Sequence, residues 1–307
     1  MSRDSILLLG GGFIATALAR RLALAGRAVE MISRSPIDMP NISVHIGDLS
    51  NPELIKKLSG HCGTVIHLAS ATTPGVSSRH PSKELENIAP TLHLLEALQQ
   101  WPSTHLIFLS SGGTTYGNPD TNPVTEDIRT APLSYYGAGK VAIESFLKAF
   151  SVTGHPTTIL RPSNVYGPGQ AQRSGFGLIR NLLEHARNAT TAEIWGDGES
   201  VRDYIYIDDV VEACIRFVDL PQDSDTYNLG SGMGYSVNQV LAHIESVCEL
   251  RISVNYRPTR QADVREIVLD STRLKKRLGW QPQADLMDGV RHTWNWLVHE
   301  KKDGLLE

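Results

Sequence analysis

Tyr136 and Lys140 stand four residues apart in Tyr136-Gly137-Ala138-Gly139-Lys140, a spacing that puts a phenol and an ammonium on one face of a helix. A phenol titrates near ~10 and is no base at neutral pH, but an adjacent ammonium and a cationic ring both favour its phenolate. Such a pair could take the proton of an alcohol as hydride leaves the same carbon. A YxxxK string alone is a common accident. Position gives this one its weight: it follows the apolar run His105–Leu109 and the hydroxyl-rich Ser110-Ser111-Gly112-Gly113-Thr114-Thr115, where the cleft of a doubly wound sheet would lie.

A second chemistry-bearing segment is Leu7-Leu8-Leu9-Gly10-Gly11-Gly12-Phe13-Ile14-Ala15, a strand running through GxGxxA into an amphipathic helix. Gly10 and Gly12 let backbone N–H groups approach a pyrophosphate at the helix start, Phe13 and Ile14 open that helix, and Ala15 lets helix and strand pack closely. The second strand usually ends in an acid that binds the ribose 2′-hydroxyl, but here the end reads Ile32-Ser33-Arg34-Ser35. A cation between hydroxyls suits a 2′-phosphate. Alternatively Arg34 stacks on adenine or points into solvent. Asp48 either accepts from an adenine amine or caps the helix from Asn51 onward. Leu49, after it, and Leu68-Ala69, closing the run Thr64–Leu68, are also expected to line the cofactor.

These residues need a frame. Ser5–Leu9, Phe13–Ala25, Ala28–Ile32 and Val44–Ile46 alternate strand and helix patterns. The rhythm continues through Thr64–Leu68, a helix around Lys83–Gln99, His105–Leu109, a helix around Ser134–Phe150, and Thr157–Leu160. Pro90 should kink the helix it falls in or mark its true start. From Pro168 the chain turns to loops with Gly and Pro, the texture of a substrate lobe. Asp208–Val218 and then Thr226–Leu229 read as a return to the sheet. The expected fold is α/β, a doubly wound parallel sheet (Rossmann) over 1–167 plus about 204–230. A smaller C-terminal substrate-binding lobe takes about 168–203 plus 231–307.

Composition narrows the classes. The 307 residues carry 29 Lys and Arg against 33 Asp and Glu, a net charge of −4, so no basic field exists to hold a nucleic acid. Cys62, Cys214 and Cys248 form no CxxC, so neither a zinc site nor a disulfide framework is indicated and no metal is expected. No stretch approaches a membrane span or a signal segment, and the reading is cytoplasmic.

The glycine motif and YxxxK occur in order with His67-Leu68-Ala69, Asn87, Arg161-Pro162-Ser163-Asn164-Val165-Tyr166-Gly167-Pro168-Gly169, Trp195-Gly196-Asp197-Gly198, Arg202-Asp203-Tyr204 and Asn228-Leu229-Gly230. Over nearly the whole chain this series resembles the extended short-chain dehydrogenases of the NAD-dependent epimerase/dehydratase family, and within them the UDP-sugar 4-epimerases. The resemblance implies that Tyr136 is the base and that Lys140 also holds the nicotinamide ribose. Hydride would leave for the nicotinamide and return to the other face of a 4-keto sugar. It further implies that Asn164 bonds the sugar or a phosphate oxygen, that Arg202 and Arg260 clamp the diphosphate, and that Asp263 holds the nucleotide ribose. Guanidinium forks match phosphate oxygens in pairs. Ile267, four residues on, either lines the sugar pocket with room for a 2-acetamido group or faces the core. Trp195 is read as lobe core and His67 as a hydrogen-bonding core residue, neither with chemistry.

One departure stands out. Relatives carry a Ser or Thr where this chain has Gly112, so Thr114, with Ser111 as the alternative, must supply the hydroxyl that binds the reacting oxygen. The segment also lacks the carboxylates that the family's dehydratases and decarboxylases carry there. The resemblance favours NAD, Ser33-Arg34 favours NADP, and a homodimer through the helices near Lys83–Gln99 and Ser134–Phe150 is implied. The expected activity is 4-epimerisation of a UDP-hexose or UDP-N-acetylhexosamine. Its alternatives are an NADPH-dependent reductase of a keto-sugar or other carbonyl, and a cofactor-sensing regulator with weak catalysis.

Overall fold

Ile6 to Leu9 is apolar at every position, the pattern of a strand covered on both faces, and in the computed structural model all four side chains are buried. The structure describes residues 5–173, 176–220, 222–259 and 263–303. Seven strands form a parallel sheet in the order Thr226–Leu229, Thr157–Pro162, His105–Leu109, Cys62–His67, Ser5–Leu9, Val29–Ser33, Ile42–Ile46. Ile6 pairs with Val29 on one side and Thr64 on the other. At the far edge Ile159 N donates to Asp225 O.

Helices flank this sheet. Phe13–Leu24 buries Ala15, Leu18, Ala19 and Leu22, a stripe at helical spacing. Tyr135–Val152 starts at Ser134, whose side chain accepts from Gly137 N at 3.1 Å, and its buried stripe runs Gly137, Lys140, Ile143, Glu144, Leu147. Two charged residues therefore occupy positions where a flanking helix usually presents aliphatic ones. Asp208–Val218, read as part of the return to the sheet, lies in a helix, Ile207–Val218, and only Thr226–Leu229 is the strand. The buried Ile207, Val210, Val211, Cys214 and Phe217 explain this, because they recur with helical period. Pro90 does not mark a start either. A 3₁₀ turn, Pro81–Glu84, leads into the helix Leu85–Leu98 with Pro90 inside it.

The chain folds into two compact units. One comprises Met1–Ser111, Ser134–Arg161 and Val211–Tyr227; the other comprises Gly112–Leu133, Pro162–Val210 and Asn228–Glu307. The first has its core in Leu7, Val65, Leu106, Phe108, Ile143, Leu147 and their neighbours. In the second, Val201–Tyr206 pairs with Gly234–Ser236, Glu266–Ile267 and Asn164–Tyr166, and Tyr116, Val124, Val264, Ile267 and Leu269 form a smaller apolar cluster.

Candidate active site

Gly10 lies at φ +113°, where a side chain is strained, and a Cβ there would sit 3.0 Å from Ala69 Cα. The loops after two adjacent strands thus touch through backbone, with Leu68 N donating to Leu9 O at 3.0 Å. Gly11 packs on the Ser33 side chain, whereas nothing lies within 4 Å of a Cβ on Gly12. Gly12 is the helix N-cap and offers no side-chain cap, so the first N–H groups of Phe13–Leu24 face an open approach. This is a backbone cradle that fits a pyrophosphate.

Beside it, Ser33 is buried and its hydroxyl accepts from Ser35 N at 3.3 Å, while Arg34 is exposed. Asp48 does not cap the following helix; Asn51 does, accepting from Leu54 N at 3.2 Å. Asp48 instead accepts from Ser50 N at 2.8 Å, and that bond, with help from the Ser50 side chain and Arg34, holds its carboxyl below the usual range. Leu49 packs on the core of the first unit.

The helix Tyr135–Val152 carries both Tyr136 and Lys140. Lys140 Nζ donates to Leu109 O at 3.1 Å and stands 4.8 Å from the Phe108 ring centroid and 5.8 Å from that of Tyr136. Burial pulls Lys140 down to about 8, opposed by Glu84 and Glu144. Burial, then Glu84, push the Tyr136 phenol up to about 12, and a hydrogen bond with Ser70 works the other way. Within the protein alone Tyr136 therefore holds its proton at neutral pH. One turn beyond Lys140, Glu144 forms a buried ion pair with Arg161, with Nη2 to Oε2 at 2.5 Å, and accepts from the Ser110 hydroxyl at 2.5 Å. His67 donates from Nε2 to Thr91 at 3.0 Å, because the Thr91 hydroxyl is itself given to Asn87 O. Burial and Lys140 hold His67 down to about 3, a neutral core residue.

Ser110, Ser111 and a single helical turn, Gly112–Thr115, follow the strand His105–Leu109. Ser111 is partly exposed. The Thr114 hydroxyl is buried with no hydrogen-bond partner, and so is that of Ser163. Tyr116 is locked in the core, its hydroxyl donating to Asn228 Oδ1 at 2.6 Å. A Cβ on Gly113 would lie 3.7 Å from the Asn164 amide, which brings Asn164 beside the turn that carries Thr114. Asn164 Nδ2 donates to Asp203 O at 2.9 Å.

Arg202 is partly buried, donates to Val201 O at 2.8 Å, and is pulled down by burial against the opposing effects of Tyr204 and Asp263. Arg202 and the exposed Asp263 thus share one neighbourhood. Arg260 lies outside the described residues. Ile267 is 1% exposed within the apolar cluster of the second unit.

Sequence reasoning gave no role to Glu84, a buried carboxylate that packs against Gly139 between Tyr136 and Lys140. No spacing signal could have found it, since Glu84 belongs to another element.

Residues 6–230 match the NAD dependent epimerase/dehydratase family. The chain is 32% identical over 305 residues to dTDP-4-dehydro-6-deoxyglucose reductase of Escherichia coli, covering 94% of this chain and 96% of that one. It is similar in structure to UDP-glucose 4-epimerase of Thermotoga maritima, solved with UDP-glucose, with a TM-score of 0.91, 30% identity, and coverage of 97% of this chain and 99% of that one. It is also similar to UDP-glucose 4-epimerase of Thermus thermophilus in complex with NAD, with a TM-score of 0.89, 27% identity, and coverage of 95% and 99%.

Proposed function

The chain belongs to the NAD dependent epimerase/dehydratase family, and from that premise we propose that it is a nucleotide-sugar 4-epimerase acting on a UDP-hexose or UDP-N-acetylhexosamine. The observation that carries this reading is the Tyr136–Lys140 pair on one helix, in a unit that also holds an uncapped glycine cradle. No carboxylate occurs in Ser110–Thr115, where the family's dehydratases carry theirs, which supports epimerisation over elimination.

Gly10, Gly12, Phe13 and Ile14 would hold the dinucleotide's pyrophosphate, with Leu49, Leu68 and Ala69 along its length and Lys140 on the nicotinamide ribose. A bound nicotinamide supplies the hydride acceptor and a cationic ring that favours phenolate. Tyr136 takes the proton of the sugar hydroxyl and returns it after the keto sugar turns over. Thr114, whose hydroxyl is otherwise unpaired, donates to the reacting oxygen. Asn164 and Arg202 hold the sugar and diphosphate, with Arg260 as a second clamp and Asp263 on the nucleotide ribose.

Incubation with UDP-glucose, UDP-galactose and their N-acetyl forms, without added reductant, tests the reading. Interconversion at carbon 4 is expected. Turnover only of a keto sugar, with one NADPH consumed each time, would replace it with the reductase reading, which the likeness to the Escherichia coli reductase supports. Absence of Asp or Glu at Ser33-Arg34 supports NADP binding beside NAD. The reading includes a cytosolic homodimer. Leu85 and Phe146, 63% and 42% exposed on helix-bearing segments of the first unit, support such pairing, and a monomeric mass at micromolar concentration would overturn it.

A further inference from the structure

Glu84 ends the 3₁₀ turn Pro81–Glu84 and is 7% exposed, a carboxylate taken almost wholly out of water. Burial at this depth is costly unless the charge is bonded. Its oxygens are bonded: the Ser77 hydroxyl donates to Oε1, and Asn87 Nδ2 donates to Oε2 at 3.1 Å. Asn87 is fixed in turn, giving a second bond to Thr72 Oγ1 at 2.8 Å and accepting from Ala71 N at 2.7 Å. The carboxylate therefore has a built seat, and the seat holds it against Gly139. A Cβ on Gly139 would lie 3.0 Å from Glu84 Cδ and would overlap Oε2 outright. Gly139 is the residue just before Lys140 and lies within the Tyr136–Lys140 interval.

We propose that Glu84 is a positioning residue for the reaction, the fixed countercharge whose seat against Gly139 sets the protonation of the Tyr136–Lys140 pair. The proposal rests on the reading of that pair as the reacting groups. The other groups facing the pair among the described residues are Glu144 on the same helix, the neutral His67, the Leu109 carbonyl and Ser70. Glu144 is already neutralised by Arg161. Glu84 has no cationic partner of its own within salt-bridge distance among the described residues, so no ion pair cancels its charge beside the pair. It raises both members: it keeps Lys140 an ammonium against burial, and it keeps Tyr136 a phenol. Burial, the larger cause, and Glu84 together leave Tyr136 in need of a cationic ring before it can act as base.

Glu84→Gln keeps shape and hydrogen bonds, since the Ser77 hydroxyl can donate or accept, and removes only the charge. The cofactor-loaded protein is titrated, and the phenolate absorbance of Tyr136 is isolated by subtracting the same titration of a Tyr136→Phe partner. Its midpoint should fall by about one pH unit or more in Glu84→Gln. Both limbs of the pH–rate profile should move to lower pH together. Gly139→Ala, which drives the carboxylate end from its seat, should move the midpoint in the same direction and keeps the test alive if Glu84→Gln does not fold. A lowered plateau with unmoved midpoint and limbs would mean a purely structural role and overturn the proposal. A shift in Glu84→Gln with none in Gly139→Ala would overturn the assigned seat. The absorbance titration needs no sugar, so failure of the epimerase reading would show separately as absent turnover.

Discussion

Two buried polar regions of this protein are treated in opposite ways. Around Lys140 the buried charges are each bonded: Glu144 to Arg161 and Ser110, Lys140 to a strand-end carbonyl, and Glu84 to Asn87. In the turn Gly112–Thr115 and at Ser163 the buried hydroxyls have no partner. A satisfied network fixes geometry before any ligand arrives, whereas an unsatisfied hydroxyl is a donor still available to one. The lesson is a division of labour: the polar groups of the helix Tyr135–Val152 are set in advance, and the Thr114 and Ser163 hydroxyls remain available to a ligand.

The most severe test of that division is Tyr136→Phe. Turnover should fall by roughly 10²–10⁴-fold or below detection, with thermal stability and cofactor binding nearly unchanged. A loss smaller than tenfold would take Tyr136 out of the mechanism. Next comes Thr114→Ala, which should slow the chemical step by roughly 10–1000-fold at little cost in stability, because its hydroxyl makes no bond to lose. An unchanged rate would pass the role to Ser111. Ser110→Ala sharpens the contrast, since it removes one of the two donors to Glu144 Oε1, Arg161 Nε remaining at 3.0 Å, and should destabilise the fold by about 1–3 kcal/mol in denaturant titrations. Equal stability losses in the two alanine variants would erase the distinction between the regions.

Ile267→Tyr has a smaller expected effect on chemistry. Its site is filled by Tyr116, Val124, Val264 and Leu269, so overpacking should cost about 1–3 kcal/mol and depress plain and N-acetyl substrates alike. Selective loss of the N-acetyl substrate would return Ile267 to the sugar pocket. Least of all, Arg34→Ala should weaken NADP by roughly tenfold while sparing NAD, an exposed charge-assisted contact being modest. Equal losses for both cofactors would place Arg34 on adenine.

The glycine cradle and YxxxK were legible because local backbone geometry imposes them: Gly10 at φ +113° admits no side chain comfortably, and the four-residue interval puts Tyr136 and Lys140 on one helix face. The sheet was legible from apolar runs such as Ile6–Leu9. Glu84 was not, because its neighbours in sequence, Lys83, Leu85 and Glu86, give it the look of a solvated turn. Only the fold brings it beside Gly139, and only Ser77 and Asn87 make its burial tolerable. The Asp48 turn was hidden for a similar reason, since an Asp can cap a helix or bond its own second neighbour, and spacing does not choose between them.

The strand order of the main sheet bears on how the chain is made. Taken in order of synthesis, Val29–Ser33 adds beside Ser5–Leu9 and Ile42–Ile46 beside that. Cys62–His67 adds to the opposite edge, and His105–Leu109, Thr157–Pro162 and Thr226–Leu229 then follow outward one after another. No strand has to be inserted between two already paired, so the sheet can grow at its edges as the ribosome delivers it. The exception in timing is the last step. After Thr157–Pro162 emerges, its outer edge stays open through the helices Leu178–Asn188 and Ile207–Val218 until Thr226–Leu229 arrives to cover it. That interval leaves a strand edge that is buried in the finished fold exposed to other nascent chains, the condition under which strand edges invite aggregation.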